Sequence, residues 1–131
     1  MIVTIGADDA KGVLAVLAEG PVDFEEIRAH VLEERAHRAL GHRELIDARR
    51  AMPAVTAADV RRVVTLVRAE AQRVALGPTA VVVSNDMAYG MLRMLEILVE
   101  DVAAIRPFRD YREAVKWLGS APLGPNGNMD S

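Results

Sequence analysis

Side chains able to bind or react gather at three places, each just past an apolar run. Asp47 and Arg49 follow one run, Ser84, Asn85 and Asp86 a second, and Arg106, Phe108 and Arg109 a third. Open α/β sheets bind ligands beyond the carboxyl ends of their parallel strands, so neighbouring strands would gather these groups into a polar rim. The same residues also have ordinary structural uses: Asn85 or Asp86 caps a helix, and Asp47 pairs with an arginine. Two features argue against a phosphate cradle there, the Asp at the helix start and the lack of a glycine-rich loop. Ser84 lacks the glycines of a nucleophile elbow, and Ser120 and Ser131 lie in or beside the tail. The histidines His30 and His37 are seven residues apart on one predicted helix, about 10 Å along its axis, too far to share a metal directly. His42 lies past Gly41 with no evident carboxylate partner, so a solvated helix face is expected for the group. No zinc-type or calcium-type spacing occurs. The expectation is no enzyme, no metal and no cofactor.

The elements that must position these groups alternate. Ile2–Ile5 and Val13–Ala18 read as a hairpin across the polar linker 6–12, with Gly20-Pro21 breaking the second strand. Asp23 and Glu26 form a helix-start pair for a helix over Phe24–Leu40, with Phe24, Ile27, Val31 and Leu32 on its apolar face and Gly41 ending it. Glu44–Ala48 is a short strand. Thr56-Ala57-Ala58-Asp59 opens a helix in which Val60, Val63, Val64, Val67, Ala71 and Val74 recur at helical spacing, stopped by Gly77-Pro78. Ala80–Val83 is a continuous apolar strand, as at the centre of a sheet, followed by a helix over Asp86–Val99. Val102–Ile105 is a last strand, and Asp110 and Glu113 open a final helix ending at Gly119. The order β-β-α-β-α-β-α-β-α predicts an α/β domain: a small, mostly parallel five-stranded sheet with four helices and right-handed crossovers. One domain over 1–119 and a flexible tail over 120–131 are expected.

Composition narrows the function classes. Without cysteine there are no disulfides, thiolate metal sites or cysteine nucleophiles. The net charge of −3 and the interleaving of arginines with acids argue against a nucleic-acid partner. Phe24, Phe108, Tyr89, Tyr111 and Trp117 are too few to build a base-stacking platform. No apolar run reaches the ~20 residues that span a bilayer, and the N-terminus has no signal-peptide pattern. A cytoplasmic protein is expected.

The helix over Asp86–Val99 carries more apolar surface than one sheet contact needs. Met87, Met91, Met94 and Leu98 form one stripe, and Ala88, Leu92, Leu95 and Val99 an adjacent one. The methionine stripe is open to three readings: core, a homodimer interface that also includes Tyr89 and Gly90, or the wall of an apolar ligand pocket. Gly90 costs about 1 kcal/mol relative to Ala in mid-helix, which suggests that another backbone approaches there.

Four segments together resemble the SpoIIAA-like family of the STAS superfamily, which is related to CRAL-TRIO lipid-transfer domains. They are Glu44-Leu45-Ile46-Asp47-Ala48-Arg49, Ser84 through Met94, Pro107-Phe108-Arg109-Asp110, and Ala114-Val115-Lys116-Trp117-Leu118, and the likeness extends over residues 2–119. The resemblance implies a compact α/β fold, often paired as dimers, and no established reaction. In STAS anti-sigma-factor antagonists a serine at the start of the second long helix is phosphorylated. This chain has Pro53-Ala54-Val55-Thr56-Ala57-Ala58-Asp59 there, without the paired serine or the glycine, so Thr56 is the only candidate hydroxyl. The resulting expectation is a binding or signalling module acting through protein–protein contacts. The alternative is a carrier of a small apolar or lipid-like ligand, and a third reading is a hydrolase using Asp47, Ser84 and the arginines.

Overall fold

The computed structural model describes residues 1–8 and 12–120. The element order is β1 (Ile2–Asp8), β2 (Val13–Val22), α1 (Phe24–Ala36), β3 (Arg43–Pro53), α2 (Ala57–Ala71), β4 (Thr79–Val82), α3 (Asp86–Leu98), β5 (Ile105–Phe108) and α4 (Tyr111–Ser120). The sheet runs β1-β2-β3-β4-β5, with β1 antiparallel to β2 and the other pairings parallel. This is the predicted α/β architecture in the predicted order. Beyond Ser120 the expected tail lies outside the described residues.

Side-chain alternation along the strands divides the sheet into two faces. Register places Leu14 beside Glu44 and Thr79, and Val16 beside Ile46 and Val81, on the face covered by α1, α2 and α3. There Phe24, Val63, Val67, Leu95 and Val99 join α1, α2 and α3 into one core cluster. The opposite face presents Ala80, Val82 and Phe108 to Ala114 and Leu118 of α4.

Several boundaries differ from expectation. Gly20-Pro21 does not end β2, which continues to Val22 paired with β3. Gly20 takes φ +67°, open to glycine at little cost. The register with β1 ends at Ala18, so the N–H that Pro21 lacks has no ladder to join on that side. The helix α1 stops at Ala36 rather than Leu40, where the chain turns through Arg38 at φ 57°. Likewise α2 stops at Ala71, six residues before Gly77. The last strand is Ile105–Phe108, three residues later than expected, because Val102 and Ala103 pack against the helical core cluster instead of joining the sheet.

One glycine is dictated by close approach. A Cβ on Gly77 would overlap the His42 carbonyl and lie 2.6 Å from the Gly41 carbonyl oxygen, where the loops leading into β3 and β4 cross. At Gly90 an added Cβ would meet nothing within 4 Å, so the expected backbone approach does not occur among the described residues.

Candidate functional site

Four of the seven predicted rim residues, Ser84, Asn85, Asp86 and Arg109, lie just past the carboxyl ends of β4 and β5. Asp47 and Arg49 sit inside β3, which runs on to Pro53 instead of ending at the expected Ala48, with Asp47 level with Val82 at the end of β4. Most of these six partner one another. Asp47 accepts from Arg49 Nε at 2.9 Å and Nη2 at 2.8 Å, which holds its carboxyl below the usual aspartate range. The Arg49 guanidinium lies 5.2 Å from the centre of the Tyr111 ring, and the Arg49 carbonyl accepts from Ser84 Oγ at 2.7 Å. Asn85 caps α3 by accepting from the Ala88 N–H at 2.8 Å. Asp86 pairs with Arg109 at 2.7 Å, and Arg109 stands over Tyr89. Arg106 is elsewhere. It is in register with Ala80, low on β5, and its guanidinium lies over Phe108 and Trp117.

Thr56 is the N-cap of α2 in a reciprocal capping box. Its Oγ1 accepts from the Asp59 N–H at 3.1 Å, and Asp59 Oδ2 accepts from the Thr56 N–H at 3.0 Å. A phosphate on Oγ1 would stand beside the Asp59 carboxylate, and like charges at that distance repel.

The two stripes of α3 have different surroundings. Leu95 and Val99 are buried, and Ala88, Leu92 and Met91 are half-buried against the interior. Met87 is 62% exposed, Met94 41%, Ile97 53% and Leu98 41%. Of the methionine stripe, only Met91 turns toward the interior.

Between the sheet and the three helices lies a cavity of about 260 Å³. Ile27, Val63, Val67, Val81, Leu92 and Leu95 are among its walls, and the lining is overwhelmingly apolar. Toward the carboxyl ends of the strands its walls are the half-buried Ala51, Pro53, Val55, Ala88 and Met91. At the amino ends of β3 and β4 the lining changes to His30, Glu34, Glu44, Glu70 and Thr79. Glu44 to Ala48 alone spans about 13 Å of strand, so the cavity is elongated, with apolar walls and a polar floor.

The floor is a buried network. His30 Nε2 lies 2.7 Å from Glu44 Oε2 and 3.3 Å from Glu34 Oε2. Thr79 Oγ1 donates to the other Glu44 oxygen at 3.5 Å, and Arg35 reaches Glu70 at 3.4 Å. Burial alone would lower the His30 pKa, but hydrogen bonds and charge from Glu34 and Glu44 outweigh it and hold the imidazole at about 10. Burial, with Glu44 close by, pushes Glu34 up to about 8 in spite of His30. Burial opposes ionisation of Glu44 as well, yet its bonds to His30 and Glu34 keep its pKa below the ordinary value. At neutral pH the trio is therefore imidazolium, carboxylate and carboxylic acid. One ligand atom from each of the three residues lies within 4.8 Å of the others, close enough to share an ion.

The sequence reading of a solvated histidine face is corrected here for His30, which is 9% exposed, while His37 is exposed. The available signal was the spacing Phe24, Ile27, His30, Glu34. These positions continue the apolar stripe of α1 with an i, i+4 His–Glu pair inside it. Glu44 begins the same inward alternation that Ile46 continues, and Glu70 follows Val60, Val63 and Val67 along the buried side of α2.

No protein-family model matches the chain, and no curated protein matches it. Among solved structures it is similar to an uncharacterized protein of the DUF3478 family with a SpoIIAA-like fold from Shewanella loihica PV-4. That likeness has a TM-score of 0.59 at 17% identity and covers 90% of this chain and 92% of that one. The chain has a SpoIIAA-like fold. Among the described residues no helix is long and apolar enough to cross a membrane.

Proposed function

We propose that this SpoIIAA-like domain is a non-enzymatic binder of a small apolar or single-chain amphiphilic ligand, held between the sheet and α1–α3. The cavity carries this reading. An engineered cavity of ~150 Å³ takes up a benzene, so about 260 Å³ suits a ligand of about ten non-hydrogen atoms. Its apolar walls gain when an apolar ligand replaces the water against them. Native mass spectrometry of freshly purified protein is expected to show an apolar adduct, and n-octanol is expected to raise the melting temperature. Ala48→Phe, which fills the cavity from β3, should abolish the adduct without lowering the melting temperature. No adduct, no response to octanol and an unstable Ala48→Phe variant would together sink the reading.

The exposed stripe on α3 favours a second surface, for a protein partner or a second copy of the chain. Met87, Met94, Ile97 and Leu98 present adjacent apolar side chains that the described residues leave exposed. For a homodimer, light scattering should give twice the chain mass for wild type and the chain mass for a folded Met94→Asp variant. A wild-type monomer would remove self-association and leave the stripe to a different protein.

A further inference from the structure

We propose that the floor of the cavity selects a ligand bearing a protonated amine, with Glu34 and Glu70 supplying the carboxylate oxygens that receive it. This rests on the cavity being a ligand site and adds the chemistry of the ligand's polar end. Two observations carry it. Glu70 Oε1 and Glu34 Oε2 are buried in residues only 5% and 7% exposed; Glu70 Oε1 accepts no hydrogen bond, and Glu34 Oε2 lies 3.3 Å from His30 Nε2, whose short bond goes to Glu44 instead. A buried acceptor left without a donor is costly, and a donor arriving with a ligand would remove the penalty. The lining is also richer in acids than in bases: among the described residues Glu34, Glu44 and Glu70 line it with His30 and His42, and neither lysine nor arginine does. Arg35 touches Glu70 only through the other carboxylate oxygen, Oε2, and His30 is committed to Glu44. A fatty-acid carboxylate placed here would face Glu44 and Glu70. An alkylammonium would bring donors to Glu70 Oε1 and Glu34 Oε2 and lay its chain along Val63, Val67 and Leu92. Charge balances by exchange: the ammonium enters with its proton and Glu34 releases one.

The experiment compares n-octylamine, n-octanol and n-octanoate, equal in chain length, by titration calorimetry against the full chain at pH 7.5. Octylamine is expected to bind at least about tenfold more tightly than octanol, the range of one charge-assisted hydrogen bond, with octanoate weakest. Its binding should release about one proton, read from the dependence of the heat on buffer. Glu70→Gln should cost octylamine about tenfold and leave octanol unchanged. Glu34→Gln should abolish the proton release, and it serves as the readout if Glu70→Gln does not fold. Equal binding of the three probes would overturn the amine preference while leaving the cavity as a ligand site. No binding by any of them would overturn both. Zn²⁺ binding that His30→Gln abolishes, with no preference among the probes, would replace the amine by a metal.

Discussion

Glu44→Gln is expected to lower the unfolding free energy by about 3–5 kcal/mol, the loss typical when one partner of a buried ion pair is removed. The substitution is nearly isosteric, so the cost is electrical rather than steric. Without the carboxylate 2.7 Å from its Nε2, the His30 imidazolium is a buried charge facing only Glu34, itself protonated at neutral pH. The ring must then lose its proton or draw in water. Urea unfolding at pH 7 reads the loss as a fall in midpoint with an unchanged slope. The contrasting variant replaces the whole trio, His30→Leu with Glu34→Met and Glu44→Leu, and is expected to be as stable as wild type or more so. A buried ionic cluster that apolar residues can replace without loss is not there for stability. It marks a site whose polarity serves something else, as the amine-selective floor requires. If Glu44→Gln unfolds with the wild-type midpoint, His30 is not held as an ion in this site.

How far the sequence reveals this protein depends on whether a signal is local. The β4–α3 unit is legible because Ala80–Val83 is uninterrupted and Asn85 caps immediately after it; only the bounds shift by a residue. Thr56 and Asp59 announce α2 because both halves of a capping box sit within four residues. The extension of β2 through Gly20-Pro21 is illegible because it depends on where β1 stops, which is a tertiary fact. Pro107 likewise disguises β5, since a proline reads as a break until its strand is known to be at the sheet edge. The rim residues are predicted by fold logic, and the structure gives most of them partners in each other. The cavity floor is harder. His30 and Glu44 are fourteen residues apart and Glu70 is far beyond both, so nothing short-range distinguishes them from a solvated charged face. Only register, Glu44 beside Thr79 and facing α1, brings them together.

The same trio sets an unusual dependence of stability on pH. His30 is held at about 10 against an ordinary value of 6.5, so its stabilisation is complete below pH 6.5 and is lost as pH rises toward 10. Glu34, at about 8 against 4.5, begins to lose its contribution above pH 4.5 and has lost it above pH 8. Between about pH 6.5 and 8 the folded chain thus holds up to two protons that the unfolded chain has released, each worth about 1.4 kcal/mol per pH unit. Glu44 acts in the opposite sense: its pKa is lowered, so its contribution is present above 4.5 and is lost as acid protonates it. Asp47, Asp59 and Asp101, held down by Arg49, by the Thr56 N–H and by Arg68, also weaken the fold only at the acid end. Around the trio, Glu70 from α2 with Arg35, His42 before β3, and Thr79 from β4 complete the titratable and polar surroundings. The expected profile has its maximum on the acid side of neutral, near pH 5–6, and falls steeply through pH 7–9, where many small domains are still near their best. Urea midpoints at pH 5.5, 7 and 8.5 should decrease in that order for wild type. They should be nearly level for the variant with the trio replaced by apolar residues. A wild-type midpoint that rises from pH 5.5 to 8.5 would mean that His30 and Glu34 do not share protons in the folded chain. An equally steep fall in the apolar variant would place the proton linkage elsewhere.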